Sequence, residues 1–381
     1  MTTPRTSPAS TPARPALDYR AFCGWSFRWR GNLPRRVTAP RCILAALLAV
    51  VLSPLVLGQD ARQQENPIRI GIIGLDTSHA PAFTKLINEA RGSGPLANMR
   101  VVAAFPGGSP DLPSSRDRVA GYTEQLRGMG VRIVDSIAAL LEEVDAVLLE
   151  SVDGRRHLEQ AIPVFRSGKP VFIDKPLAAD LTEAVAIDML GRKYNARWFS
   201  SSSLRFSPSI YRFRIDDQLH QKVRGAIAWS PCSLDPTHVD LTWYGIHGVE
   251  TLYTAMGTGC THVARVATEG AEVVTGVWDD GRLGTFRGIR DGQRGYGLVV
   301  FGSDAIHVGG KYEGYAPLVE QIALFFQGGA PPVDHAETIE MFAFMQAAQE
   351  SKLRDGALVA LQTVLDEATV AAQALVARID P

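Results

Sequence analysis

The run Ile68-Arg-Ile-Gly-Ile-Ile-Gly74 is nearly continuous in apolar residues and closes on a glycine, and no other stretch constrains the fold as much. It reads as a strand buried on both faces that feeds a tight turn. Helix signals follow at once: Thr77 and Ser78 as N-cap candidates, Pro81 in the first turn, and Phe83, Leu86 and Ile87 at helical spacing. Further strands are expected over 101–105, 131–134, 146–149 and 171–173, with a helix over about 156–166. Strand and helix in alternation predict an α/β fold whose N-terminal domain, 67–190, is a Rossmann-like doubly wound parallel sheet.

From about Ala196 the texture changes. Segments 223–229, 262–268, 272–278, 283–289 and 297–301 alternate apolar and polar residues, and turn signals such as Asp280-Gly281 and Asp291-Gly292 separate them. Closely spaced strands of this kind predict a C-terminal α/β domain, 196–381, with a largely antiparallel sheet. Segments 336–354 and 357–379 carry helical periodicity and close the chain. One sheet face is then covered by helices, and the other is free for a homo-oligomer interface.

In a doubly wound sheet ligands bind at the carboxyl ends of the strands. Those positions are Gly74 to His79, Pro106 to Gly108, Ser151 to Gly154, and Asp174-Lys175-Pro176. The order of these segments resembles the Gfo/Idh/MocA oxidoreductases, which include glucose-fructose oxidoreductase and inositol dehydrogenase. The likeness rests on Ile-Gly-Ile-Ile-Gly74, Val-Asp-Ala-Val-Leu-Leu149 with His157 beyond, and Gly168-Lys-Pro-Val-Phe-Ile-Asp-Lys175-Pro176-Leu. It continues through Leu204-Arg205-Phe206-Ser-Pro208, Gly245-Ile-His247-Gly-Val-Glu250 and Ala348-Gln-Glu-Ser351, and so covers almost all of the chain beyond the leader.

The resemblance implies NAD or NADP as cofactor and a sugar, polyol or related carbohydrate as substrate. It places the dinucleotide against Gly74, Asp76, Thr77, Ser78 and His79, then Ser151, then Asp174, Lys175 and Pro176. Lys175 would orient the reacting hydroxyl, and His247 would take its proton. Arg205, Trp243, Tyr244 and Glu250 would face the substrate, the two aromatic rings stacking on its apolar face. His157, near the start of its helix, reads as a packing or capping residue.

Three departures from the family pattern stand out. The first turn reads Gly74-Leu-Asp-Thr-Ser-His79 where the family has Gly-x-Gly-x-x-Gly, so Asp76 and His79 replace glycines. A carboxylate beside the pyrophosphate would repel it, and its side chain would block close approach; equally, Asp76, Thr77 and Ser78 could serve only to cap the first helix. The second strand ends Phe105-Pro-Gly-Gly108, without the acid that would hold a ribose hydroxyl. Trp243 stands where the family has an acid four residues before the histidine. An exported carbohydrate-binding or redox-neutral protein that has lost dinucleotide binding is therefore the alternative function.

Charge and the leader narrow the remaining possibilities. Residues 1–58 hold eight arginines and one acid, so the rest of the chain has 31 basic against 39 acidic residues, a net charge of −8. That balance lacks the basic footprint of a nucleic-acid-binding protein. The basic segment leads into an apolar stretch at 43–57, fifteen residues that are too few to span a bilayer comfortably. It reads as a secretory signal, residues 1–58, cleaved before Gln59, giving a periplasmic protein with no membrane contact in its mature form. An uncleaved membrane anchor is the alternative. Beyond the leader only Cys232 and Cys260 remain. They have no metal-ligand spacing, no metal is expected, and they are read as buried small hydrophobes, with a disulfide permitted.

Overall fold

The computed structural model describes residues 66–90 and 94–381, so the predicted leader lies outside the described residues. The N-terminal half alternates as expected: β1 (Ile68–Ile73), α1 (His79–Asn88), β2 (Met99–Phe105), α2 (Pro113–Gly128), β3 (Arg132–Ile133), α3 (Ile137–Glu143), β4 (Ala146–Leu149), α4 (His157–Ser167), β5 (Val171–Asp174), α5 (Leu181–Lys193) and β6 (Trp198–Ser201). The strands lie in the order β3-β2-β1-β4-β5-β6, all parallel.

Local chemistry sets the boundaries. Ser136 caps α3 by accepting from the amide of Ala139 at 3.1 Å, and Asp180 caps α5 by accepting from Glu183 at 2.9 Å. Gly168 ends α4 in the left-handed conformation, φ 72°. Gly74 turns the chain after β1 at φ +93°, and a Cβ there would lie 2.4 Å from the backbone nitrogen of Ser151. No other residue fits that crossing.

The second half contains α6 (Pro208–Ile215), α7 (Asp217–Lys222), β7 (Val223–Pro231), α8 (Asp240–Trp243), α9 (Ile246–Met256), β8 (Cys260–Ala267), β9 (Ala271–Trp278), β10 (Leu283–Ile289), β11 (Gly297–Gly302), β12 (Ile306–Gly309), α10 (Ala316–Phe326), α11 (His335–Leu353), β13 (Val359–Ala360) and α12 (Leu361–Ile379). Seven strands form the sheet β12-β11-β7-β10-β9-β8-β13. All pairs are antiparallel except β7 with β10. Helix α9, all of whose residues are buried, lies beneath this sheet.

Two expectations about the domain border need correcting. Residues 198–201, assigned by texture to the C-terminal half, are β6, hydrogen-bonded to β5 as the last strand of the first sheet. Helix α10 packs Leu318, Val319 and Ile322 with Ile70, Phe83, Phe172 and Phe199, covering one face of the parallel sheet. The core on the other face runs without a break from Ile73, Val147 and Ile173 to Leu252, Phe286 and Phe344 of the second half. Both cysteines are free and buried. No helix among the described residues is long and apolar enough to cross a membrane.

Candidate active site

A cavity of about 440 Å³ opens where the carboxyl ends of the parallel strands meet the second half of the chain. Thr77, Ser78 and His79 at the head of α1 form one wall, Ser114 and Arg118 of α2 another, with Val152 and Lys175 from the β4 and β5 ends. Trp243, Tyr244 and His247 close it from α8, the 244–245 link and α9, and Tyr296, Tyr312 and Tyr315 form the far rim. Lys175 and His247, widely separated in sequence, thus share one cavity.

His247 is buried, and its Nδ1 lies 2.7 Å from Ser202 Oγ. Ser202 is fixed in turn, its amide donating to Glu250 Oε2 at 2.6 Å. In the tautomer that donates from Nδ1 to Ser202, Nε2 carries a lone pair for a ligand. Burial, reinforced by the nearby Lys175 ammonium, holds the imidazole pKa well below its ordinary value. His247 is therefore neutral at neutral pH, the state a general base needs. Lys175 Nζ stands 5.9 Å from the centroid of the Tyr244 ring, which meets His247 edge-on at 4.8 Å. The Lys175–Pro176 peptide is cis, and Pro176 is buried behind the lysine.

Arg205 and Glu250 do not reach the cavity, contrary to the sequence expectation. Arg205 is fully buried, donating from Nε to Glu250 at 2.6 Å and from Nη2 to Glu337 at 2.7 Å, while Arg214 pairs with the other Glu337 oxygen. Burial opposes the charge on Arg205, but the two carboxylates outweigh it and raise its pKa. Glu250 also accepts from Ser201 Oγ. Its oxygens are thus consumed by the scaffold behind His247.

The first turn departs from both readings of Asp76. Its carboxylate does not cap α1, and it is not exposed to a pyrophosphate. It is fully buried, accepting from Ser115 Oγ at 2.6 Å and from the Val152 amide at 3.0 Å, so that it ties α2 to the β4 end. Burial raises its pKa against those two hydrogen bonds. Ser151 is buried as well, donating to Gln160 Oε1 at 2.8 Å beneath Gly74. His157 bridges the carbonyls of Ser151 and Leu177, at 2.8 and 3.1 Å, as a packing residue.

The head of α1 still suits an anionic group. No acid lies in its first turn, and Thr77, Ser78 and Arg118 border the cavity there, so the positive end of the helix and a guanidinium face one space. The path over β1 towards β2 is closed more tightly. Ser109 Oγ donates to Asp153 at 2.6 Å, and Arg155 spans Asp153 at 2.7 Å and Asp111 at 2.8 Å, joining the loops after β2 and β4 across the end of β1. The cavity is thus open at the helix head, whereas the loops after β2 and β4 are tied together across the end of β1.

Several residues in and around the cavity had been missed. Glu150 directly follows the apolar β4 run, a position where an acid on a buried strand is itself a signal. Tyr296, Tyr312 and Tyr315 come from connections without periodicity, and Arg118 sits on a helix of mostly polar residues, so neither carried a signal.

A parallel sheet in this strand order, with a cavity at its carboxyl ends against a second mixed sheet, defines a Rossmann-like α/β architecture. Residues 68–201 match the Gfo/Idh/MocA family model, described as an oxidoreductase family with an NAD-binding Rossmann fold. Scyllo-inositol dehydrogenase from Lactobacillus casei, solved with bound NAD(H) and scyllo-inositol, is similar over 78% of this chain and 99% of its own, at 14% identity and a TM-score of 0.63. Myo-inositol 2-dehydrogenase from Lactobacillus plantarum is similar over 77% of this chain and 99% of its own, at 17% identity and a TM-score of 0.62. At such identities the likeness establishes the fold. No curated protein matches by sequence.

Proposed function

We propose that the protein is an NAD(P)-dependent oxidoreductase acting on a small polyol, sugar or related derivative. The observation that carries this reading is the pairing of a neutral, buried His247 with Lys175 in one cavity at the carboxyl ends of the parallel sheet. His247 Nε2 takes the proton of the substrate hydroxyl, and the Lys175 ammonium orients that oxygen and stabilises the charge it gains. Trp243 and Tyr244 offer their ring faces to the C–H side of a sugar or cyclitol ring, and the hydroxyls of Tyr296 and Tyr312 meet its polar edge. Thr77, Ser78 and Arg118 hold the phosphates of the dinucleotide, which when bound accepts the hydride. Inositol dehydrogenases among the proteins of similar fold favour a cyclic polyol.

Fluorescence titration with NADH and NADPH tests the cofactor, followed by turnover assays on a panel of cyclic polyols, aldoses and sugar acids. Binding of one dinucleotide is expected, with Lys175→Ala and His247→Ala each lowering kcat by roughly a hundredfold or more. Failure of both dinucleotides to bind would overturn the reading. The Ser109–Asp153 and Arg155–Asp111 contacts favour one alternative, a redox-neutral enzyme or sugar-binding protein on the same fold, and that failure would support it.

A further inference from the structure

Behind the cavity wall three side chains from three elements converge: His79 at the head of α1, Glu150 after β4 and Asp174 at the end of β5. Their exposures are 7%, 0% and 1%. His79 Nδ1 lies 2.7 Å from Asp174 Oδ2 and 3.8 Å from Glu150 Oε2, and one ligand atom from each residue falls within 4.8 Å of the other two. Aromatic contacts fix the imidazole, which stacks on Phe83 at 5.3 Å and meets Tyr315 edge-on at 4.8 Å.

The cluster is incomplete as protein alone. Neither oxygen of Glu150 has a hydrogen-bond partner, and neither does Asp174 Oδ1. A buried carboxylate that accepts nothing is costly, and the nearby His79 and Lys175 leave both Glu150 oxygens and Asp174 Oδ1 without a donor. Other buried acids nearby are satisfied: Asp76 by Ser115 and Val152, Asp153 by Ser109 and Arg155. Glu150 is the exception, and it points at the His79–Asp174 pair.

We propose that His79, Glu150 and Asp174 bind one divalent metal ion. A metal bonded to imidazole nitrogen and carboxylate oxygen at about 2.0–2.2 Å holds neighbouring ligand atoms roughly 3.0–3.5 Å apart. The 2.7 and 3.8 Å separations from His79 bracket that range and the two carboxylates lie within 4.8 Å of each other, so side-chain shifts that draw the carboxylates together complete the site. Two carboxylates neutralise the ion's charge and supply the acceptors it needs. One nitrogen and two oxygens suit Zn²⁺, Mn²⁺ or Fe²⁺, whereas a copper(I) site would call for thiolate or thioether ligands and an all-oxygen Mg²⁺ site would not call for the histidine. Since His79 also forms part of the cavity wall, the ion lies one side chain from the ligand space. The inference holds whether or not a dinucleotide binds.

The test is metal content followed by titration. Full chain purified without chelator is analysed by elemental mass spectrometry, then stripped and titrated with Zn²⁺ and with Mn²⁺ by calorimetry, Mg²⁺ serving as control. One ion per chain is expected, together with visible ligand-field absorption when Co²⁺ replaces it. Loss of an outer-shell partner typically weakens a metal site about 10–100-fold, so Glu150→Gln and Asp174→Asn, which remove ligands, should weaken binding by about a hundredfold or more. If either variant fails to fold, His79→Ala, at the cavity wall, carries the same expectation. Wild-type protein that binds none of these ions stoichiometrically, or folded variants that bind as tightly as wild type, would overturn the proposal. NADH titration of the stripped protein reads the cofactor separately.

Discussion

At the scale of single residues, the environment of His247 sets a measurable limit. Its folded pKa lies well below the ordinary 6.5, first because it is buried and then because Lys175 carries charge nearby. With the neutral ring as the proposed base, activity is expected to fall only as pH drops through that depressed value. The acid limb of kcat/KM is therefore expected below pH 6.5, and a limb at or above 6.5 would assign proton transfer to another group. That Lys175 and His247 share one cavity was legible because one sits at a strand end and the other at a helix start, inside recognisable surroundings. Asp76 was legible as an anomaly but not as a structural tie, since Ser115 and Val152, which satisfy it, are distant in sequence. Arg205 and Glu250 misled for a related reason: nothing local marks whether a charge faces a cavity or a buried partner of opposite sign.

At the scale of elements, Arg205 joins the short turn after β6 to α9 and α11 through Glu250 and Glu337. Replacing it by a neutral side chain of similar length leaves buried Glu250 without a cation and Glu337 with Arg214 alone. Arg205→Met is expected to cost about 3–5 kcal/mol in denaturant unfolding, because an uncompensated buried charge is left behind. A loss under about 1 kcal/mol would mean that Arg214 or solvent compensates the carboxylates. Strands β1, β4 and β5 were legible because burial on both faces writes a continuous apolar run, and β10 matched its predicted bounds because one buried face writes alternation. Strands β12 and β13 were not legible. The first is short and mostly exposed, and the second is only two residues long, too little for any period to show. The affiliation of β6 and α10 with the parallel sheet is a tertiary fact, decided by where their apolar faces find a partner.

At the scale of the whole molecule, the described residues cover the second sheet on one side only. Its inner residues, among them Val274, Phe286, Leu298 and Val300, are buried against the helices. The opposite face carries Ile227, Val273, Leu283 and Phe301 at 37, 37, 54 and 38% exposure, and cross-strand pairing aligns Phe301, Gly225 and Leu283 in one row. An apolar sheet face of this kind is expected to meet an identical face by two-fold symmetry. A second copy supplies a surface of matching shape and pleat, and pairing removes the row from water. Light scattering across a dilution series should therefore report a dimer or a larger even assembly. Ile227→Asp, which places a carboxylate at the centre of the patch next to Val299 and Thr285, should shift the population to monomer while leaving circular dichroism unchanged. A wild-type chain that is monomeric at every concentration would exclude this face as a self-association surface.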